Sequence, residues 1–358
     1  MTKPRIAIVL FNLGGPDRPE SIRPFLLKLF SDPAILRVNR LLRPFVARAI
    51  TRARLGPAMA NYARIGGRSG LLEMTERQGR ALEAELPELE ARCFVAMRYW
   101  HPTSQDAAEA VRRFKPDEIL LLPLYPHYST TTTGSSLAAW QEAAVRAGLM
   151  RPTTALCCYY ADAAFTDALS AILQRSLAEA RQALPAEAAL RVLFSAHGLP
   201  QTIVDAGDPY QFQIERSVAA IVQRLAVPGL DHAICYQSRA TPVQWLGPST
   251  EAEIERAGRD GIAVLVVPIA FTAEHVETLV ELDIEYRELA AKVGVPQYFR
   301  APAPDAEPAF TAALATLVRR MHAFGPGLCS SVGGRTCPGP HTDCPFARAD
   351  PAEREALR

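Results

Sequence analysis

Two places in this chain bring together residues whose side chains exchange protons or bind metal near neutral pH. His197 closes a short apolar run just before Gly198, where a turn presents its imidazole at the strand end. A neutral imidazole accepts a proton in this pH range and is a reasonable ligand for a divalent first-row metal, as is a carboxylate. The second place is the segment 271–286, where Glu274, Glu277, Glu281 and Glu285 fall roughly along one stripe at helical spacing and Thr272 stands as an N-cap. Acidic residues at a helix start favour its dipole, and an acidic stripe is ordinarily a solvated face. The dipole effect fades after the first turn, however, and does not account for Glu281 or Glu285. A line of carboxylates leading to a cleft would pass a divalent cation inward or carry protons outward.

Around these places lie Tyr62, Arg64, Arg98, Tyr99, Trp100, Tyr125, His127, Tyr128 and Trp245, with a hydroxyl-rich run over 129–136. Aromatic rings and guanidinium groups suit a flat ligand that bears carboxylates. The plainer reading is core aromatics and a loop or helix cap. The Gly-containing stretch 64–70 follows no clear strand and matches neither phosphate-loop spacing, so it is discounted. Three of the seven cysteines, Cys329, Cys337 and Cys344, cluster in a Gly/Pro-rich tail. In a reducing compartment such clustering points to metal or redox chemistry, and with His341 the set suits tetrahedral zinc.

The elements that must position these groups read as α/β. Apolar runs at 5–11, 94–97, 118–124, 154–158, 191–195, 233–236 and 262–269 have the length and Val/Ile/Leu content of buried parallel strands. Helical periodicity falls at 74–85, 104–114, 163–184, 210–225, 278–293 and 309–324. Phe11-Asn-Leu-Gly-Gly-Pro16 is echoed by Phe194-Ser-Ala-His-Gly-Leu-Pro200, which suggests two similar doubly wound halves with ligand outside the carboxyl ends of the strands. A chain of 358 residues with 39 Lys and Arg against 38 Asp and Glu has no basic field for nucleic acid. No apolar run approaches the roughly 20 residues of a membrane span. A soluble cytoplasmic protein without a secretory leader is therefore the expectation.

In their order along the chain, Phe11-Asn-Leu-Gly-Gly-Pro16, the segments 62–69, 98–102 and 124–136, Ser195-Ala-His-Gly-Leu-Pro200, and the segments 245–248 and 268–286 closely resemble the ferrochelatase family. The resemblance runs from about residue 5 to residue 320. It implies two Rossmann-like, chelatase-like domains at 1–160 and 161–305 with a porphyrin cleft between them. A closing helix would follow at 306–325 and a cysteine-containing extension at 326–358. The implied activity is insertion of Fe(II) into protoporphyrin IX, the terminal step of haem synthesis, with coproporphyrin III as the alternative substrate. A haem- or iron-binding protein without turnover and a two-domain glycosyltransferase are the rival classes.

The resemblance places His197 and Glu277 at the metal and proton chemistry, and Glu274, Glu281 and Asp283 on a metal or proton path. Tyr62, Ser69, Arg98, Tyr99, Tyr125, Trp245 and Leu13 fall at porphyrin-side positions. Two departures stand out: Glu274 replaces an Asp of some relatives, and Leu13 a Met of others. Some members of the family bind a [2Fe-2S] cluster through three tail cysteines and one remote cysteine. This implies Cys158, Cys329, Cys337 and Cys344, with Cys157 the rival to Cys158 because adjacent strand residues point to opposite faces. Structural zinc is the alternative cofactor. Porphyrin and ferrous iron are the partners, while peripheral membrane contact and the choice between monomer and homodimer stay open.

Overall fold

Strand β1, Arg5–Asn12, is buried along its whole length except at its first residue, as a parallel strand covered by helices on both faces must be. The computed structural model describes residues 3–238 and 243–348, so the end of the expected extension, 349–358, lies outside the described residues. The further strands are β2 (Glu90–Met97), β3 (Glu118–Pro123), β4 (Thr153–Leu156), β5 (Leu190–His197), β6 (His232–Gln237), β7 (Ala263–Pro268), β8 (Tyr298–Arg300) and β9 (Gly327–Cys329). The chain divides into two units. One holds Met1–Cys158 and Leu314–Thr336, and the other holds Tyr159–Ala313 and Cys337–Ala347.

The first unit has a parallel sheet in the order β2-β1-β3-β4-β9, and the second a parallel sheet in the order β6-β5-β7-β8. Each sheet reverses direction beside its first strand. That is the flavodoxin-like form of a doubly wound sheet, in which a crevice opens at the carboxyl ends on either side of the switch point. Both units are thus Rossmann-like α/β domains. In the second unit His197 is the last residue of β5, at that switch point.

β8 and β9 are three residues each, too short to show a strand period in sequence. β9 draws the start of the tail into the first sheet: Gly327, Leu328 and Cys329 pair in register with Thr154, Ala155 and Leu156. Helices at Ile22–Ser31, Arg43–Arg64, Ser135–Arg146 and Thr250–Asp260 were not evident from periodicity. Arg43–Arg64 carries Pro57 and little apolar patterning, and Ser135–Arg146 begins inside the hydroxyl-rich run. The helix expected over 278–293 is two elements, a π-helical stretch Glu277–Glu285 and an α-helix Tyr286–Lys292. No helix among the described residues is long and apolar enough to cross a membrane.

Candidate active site

Hydrogen bonds from neighbouring strands and helices hold the backbone at His197. The Tyr210 hydroxyl donates to the His197 carbonyl at 3.0 Å, and Gly198 N–H donates to the Gln237 carbonyl at 2.8 Å. A Cβ on Gly198 would stand 2.9 Å from that same carbonyl oxygen and 3.3 Å from Cε3 of Trp245. Glycine is required here for space. Gly198→Ala is expected to cost about 1–3 kcal/mol and to lower turnover through displacement of His197. Denaturant midpoints and initial rates check it, and a variant matching wild type in both would count against the close fit.

The carboxylates arrive on the π-helical stretch. Its start is not capped by Thr272, because the segment up to His275 lies outside the helix. Instead Glu277 N–H donates to His275 Nδ1 at 3.0 Å, and His275 N–H donates to Thr278 Oγ1 at 3.0 Å. Glu277 Oε2 lies 3.1 Å from His197 Nδ1. Both side chains remain reachable from solvent, at 38% and 28% exposure. His197 Nε2 and Glu277 Oε1 have no hydrogen-bond partner among the described residues.

Glu281, one wide turn further on, accepts from Gln237 Nε2 at 3.1 Å, Ser238 N–H at 2.9 Å and the Tyr286 hydroxyl at 3.0 Å, and also from the Ser238 hydroxyl. Ser238 adopts a left-handed backbone, φ 65°, which these two bonds to Glu281 hold in place. Gln237 in turn accepts from Ser195 Oγ at 2.9 Å, so the ends of β5 and β6 and the π-helical stretch share one network.

Burial disfavours charge at all of these groups, and their mutual interactions then separate them. Burial would raise the Glu277 carboxyl, but His197 and then His275 outweigh it and hold the group at about 2. For His197 burial works downward, and the adjoining Glu277 carboxylate more than compensates, leaving it above the ordinary imidazole value. Glu281 is pushed up, first by burial and then by the Glu277 charge. His275 is lowered by burial. The result is a coupled imidazole–carboxylate pair beside a carboxyl that takes up protons more readily than usual.

The other two acidic candidates go elsewhere. Arg300 reaches Asp283 with two bonds, Nε to Oδ1 at 2.6 Å and Nη2 to Oδ2 at 2.8 Å, and Glu274 Oε1 with Nη1 at 2.8 Å. Glu274 and Asp283 are therefore compensated by a guanidinium, whereas Glu277 and Glu281 are not. Glu285 is half-buried at the end of the π-helical stretch.

In the first unit the remaining candidates lie beyond the carboxyl ends of β1, β2 and β3 or in the 62–69 segment. Leu13 is half-buried, and its carbonyl accepts from Tyr99 N–H at 3.0 Å. Tyr62 and Ser69 are buried beside Gly15, where a Cβ would collide with Ser69. Arg98 and Tyr99 converge on a residue the sequence did not single out, Asp32. This buried carboxylate accepts from Arg98 Nη2 at 2.6 Å, Tyr99 Oη at 2.8 Å, Ser135 Oγ at 2.6 Å and Ala34 N–H at 2.8 Å. Arg98 Nε also donates to Ser135 Oγ at 2.6 Å, which leaves Nη1 without a hydrogen bond among the described residues. The Tyr125 hydroxyl is buried, and burial lowers His127 to about 3, so its imidazole is neutral.

None of the seven cysteines is in a disulfide. Cys158 and Cys329 are buried in the first unit, Cys337 and Cys344 in the second. Cys157 and Cys158 do not point to opposite faces: β4 ends at Leu156, and beyond the strand the two sulfurs lie 3.2 Å apart. Among the described residues no three His, Cys, Asp or Glu side chains gather as they would around a single ion. Residues with a place in the site but no sequence signal of their own are Asp32, Tyr210, Gln237 and Ser238, while Ser135 belongs to the hydroxyl-rich run. His275 lay inside the acidic segment, unremarked beside its glutamates.

Comparison with known proteins gives a consistent result. The family model Ferrochelatase matches residues 5–322. The ferrochelatase of Phenylobacterium zucineum (strain HLK1) is 50% identical over 341 residues, covering 92% of this chain and 97% of its own. That of Caulobacter vibrioides (strain NA1000 / CB15N) is 47% identical over 345 residues, 95% and 97% of the two chains. The ferrochelatase of Rickettsia bellii (strain OSU 85-389) is 41% identical over 364 residues, 100% and 99%. Among solved structures, SirB from Bacillus subtilis with Fe3+ has a TM-score of 0.51 at 16% identity, covering 89% of this chain and 96% of that one, a likeness of fold alone.

Proposed function

The chain belongs to the ferrochelatase family and is a porphyrin metal chelatase of haem synthesis, and on that premise we propose that His197 and Glu277 carry the insertion of Fe(II) into protoporphyrin IX. The observation that supports this reading is the pair itself, 3.1 Å apart and accessible, with Glu281 beside it. Insertion converts Fe(II) and a porphyrin bearing two pyrrole N–H groups into the iron porphyrin and two protons. Ionised Glu277 keeps the proton of His197 on Nδ1, which leaves the Nε2 lone pair for the substrate. Nε2 takes a pyrrole proton, the new imidazolium is stabilised by Glu277, and Glu281 is the next acceptor along the carboxylate line. Glu277 Oε1 offers an anionic oxygen to the incoming Fe(II). Glu274 and Asp283, tied to Arg300, contribute by anchoring both ends of the segment that presents Glu277 and Glu281.

Deprotonated His197 is the reactive form, so kcat/KM rises with pH through the raised value of His197. Glu277→Gln removes the charge that raises it. The acid limb of the profile is therefore expected to move to lower pH as the rate falls, and a limb that stays in place would assign it to another group.

For the macrocycle, Leu13, Tyr62, Ser69, Tyr99, Tyr125 and Trp245 are apolar, aromatic or neutral, and Arg98 is the cation of the set. This composition suits a porphyrin with two propionates and apolar edge groups better than one with four propionates. Anaerobic incubation with Fe(II) and either protoporphyrin IX or coproporphyrin III, followed in the visible spectrum, tests substrate and activity together. Preference for coproporphyrin III reverses the substrate assignment.

We also assign Cys158, Cys329, Cys337 and Cys344 to a [2Fe-2S] cluster, a group that supplies one-electron chemistry when bound. Four buried thiols, none of them in a disulfide, supply the number and type of ligand that such a cluster takes. A brown protein with iron and acid-labile sulfide supports the cluster, and a colourless one with stoichiometric zinc, held with His341, rejects it. The enzyme is placed in the cytoplasm with peripheral membrane contact. Support for that contact is the exposure of Leu41, Leu42 and Phe45 in a stretch, 33–72, rich in arginine and without an acidic residue. Co-sedimentation with anionic vesicles reads it, and light scattering distinguishes monomer from dimer.

A further inference from the structure

Gln213 lies one turn inside the helix Tyr210–Leu225 and is 1% exposed. A buried primary amide is costly unless its donors are paired. Here Nε2 donates to Cys337 Sγ at 3.1 Å, and that sulfur is itself buried. The loop bearing Cys337 and Cys344 is seated on the same region of the second unit. Asp343 N–H donates to the Gly207 carbonyl at 3.1 Å, and the His341 ring lies 5.0 Å from that of Phe212. Gly207 adopts φ +105°, and Thr342 fills the space a Cβ would take, so the turn and the loop are closely fitted. The amide is thus held at the sulfur from both sides.

We propose that Gln213 sets the reduction potential of the iron–sulfur centre by hydrogen-bonding the Cys337 sulfur, an inference that rests on the cluster assignment above. A thiolate is an acceptor only, so the amide meets it through N–H and never through its oxygen. Negative charge on the sulfurs is greater in the reduced cluster than in the oxidised one. A fixed N–H donor therefore stabilises the reduced form more and raises the potential.

The experiment is an anaerobic redox titration of the purified holoprotein, followed by visible absorbance, for wild type, Gln213→Met and Gln213→Asn. Methionine keeps the length and removes the donor; asparagine keeps the donor and draws it back by one methylene. The expected result is a midpoint more negative than wild type in Gln213→Met, with Gln213→Asn between the two. If methionine does not retain the cluster, the asparagine midpoint alone decides, and a lowered value supports the proposal. Coincident midpoints in cluster-bearing proteins overturn the role of Gln213. A wild-type protein without iron and acid-labile sulfide overturns the cluster assignment instead, and the two failures are distinct.

Discussion

His197→Ala is expected to lower the rate of iron insertion by about 10²- to 10⁴-fold, the range lost when a positioned proton acceptor is removed. The fold should survive. His197 is partly exposed, and the bonds that hold its backbone, from Tyr210 and through Gly198, do not involve the imidazole. The loss should fall on kcat more than on KM for the porphyrin, because the imidazole acts on protons that leave as the metal enters. A companion measurement separates the two roles in the pair. If Glu277 Oε1 meets the metal, His197→Ala retains most of the affinity for a divalent ion in the absence of porphyrin, whereas Glu277→Gln loses it. A folded His197→Ala enzyme with undiminished turnover would remove the histidine from the chemistry altogether.

Asp32→Ala is expected to be the most damaging single substitution in the first unit, at about 3–5 kcal/mol, the cost of stripping a buried ionic group of its partner. One carboxylate collects Arg98, Tyr99, Ser135 and the Ala34 N–H, so its loss strands several donors at once. Asp32→Asn keeps an acceptor oxygen and should cost less. Urea midpoints at constant slope measure the difference. Since Asp32 and Ser135 also fix the direction of Arg98, the asparagine variant should raise KM for a porphyrin bearing propionates more than it lowers kcat. A cost under about 1 kcal/mol for Asp32→Ala would mean that the network behaves like an exposed ion pair.

Much of this protein was legible without coordinates. Short runs of Val, Ile and Leu between amphipathic stretches dictate buried parallel strands, because a strand covered on both faces has no polar side to show. The strand end before Gly198 and the acidic segment after β7 could be picked out because a residue's position relative to a strand end is local information. The echo between the two halves carried the doubly wound arrangement as well. Tertiary structure was needed wherever a side chain chose among partners. Four glutamates on one stripe looked equivalent in sequence. Arg300, at the end of β8, takes Glu274 and Asp283 on either side, and His197, at the end of β5, takes Glu277 between them. The π-helical winding, the side-by-side sulfurs of Cys157 and Cys158, and the gathering of Arg98, Tyr99 and Ser135 on Asp32 have the same origin. Periodicity reports which face of an element is buried. The identity of the charge or hydroxyl that meets it comes from residues tens of positions away, and only packing brings those into hydrogen-bond reach.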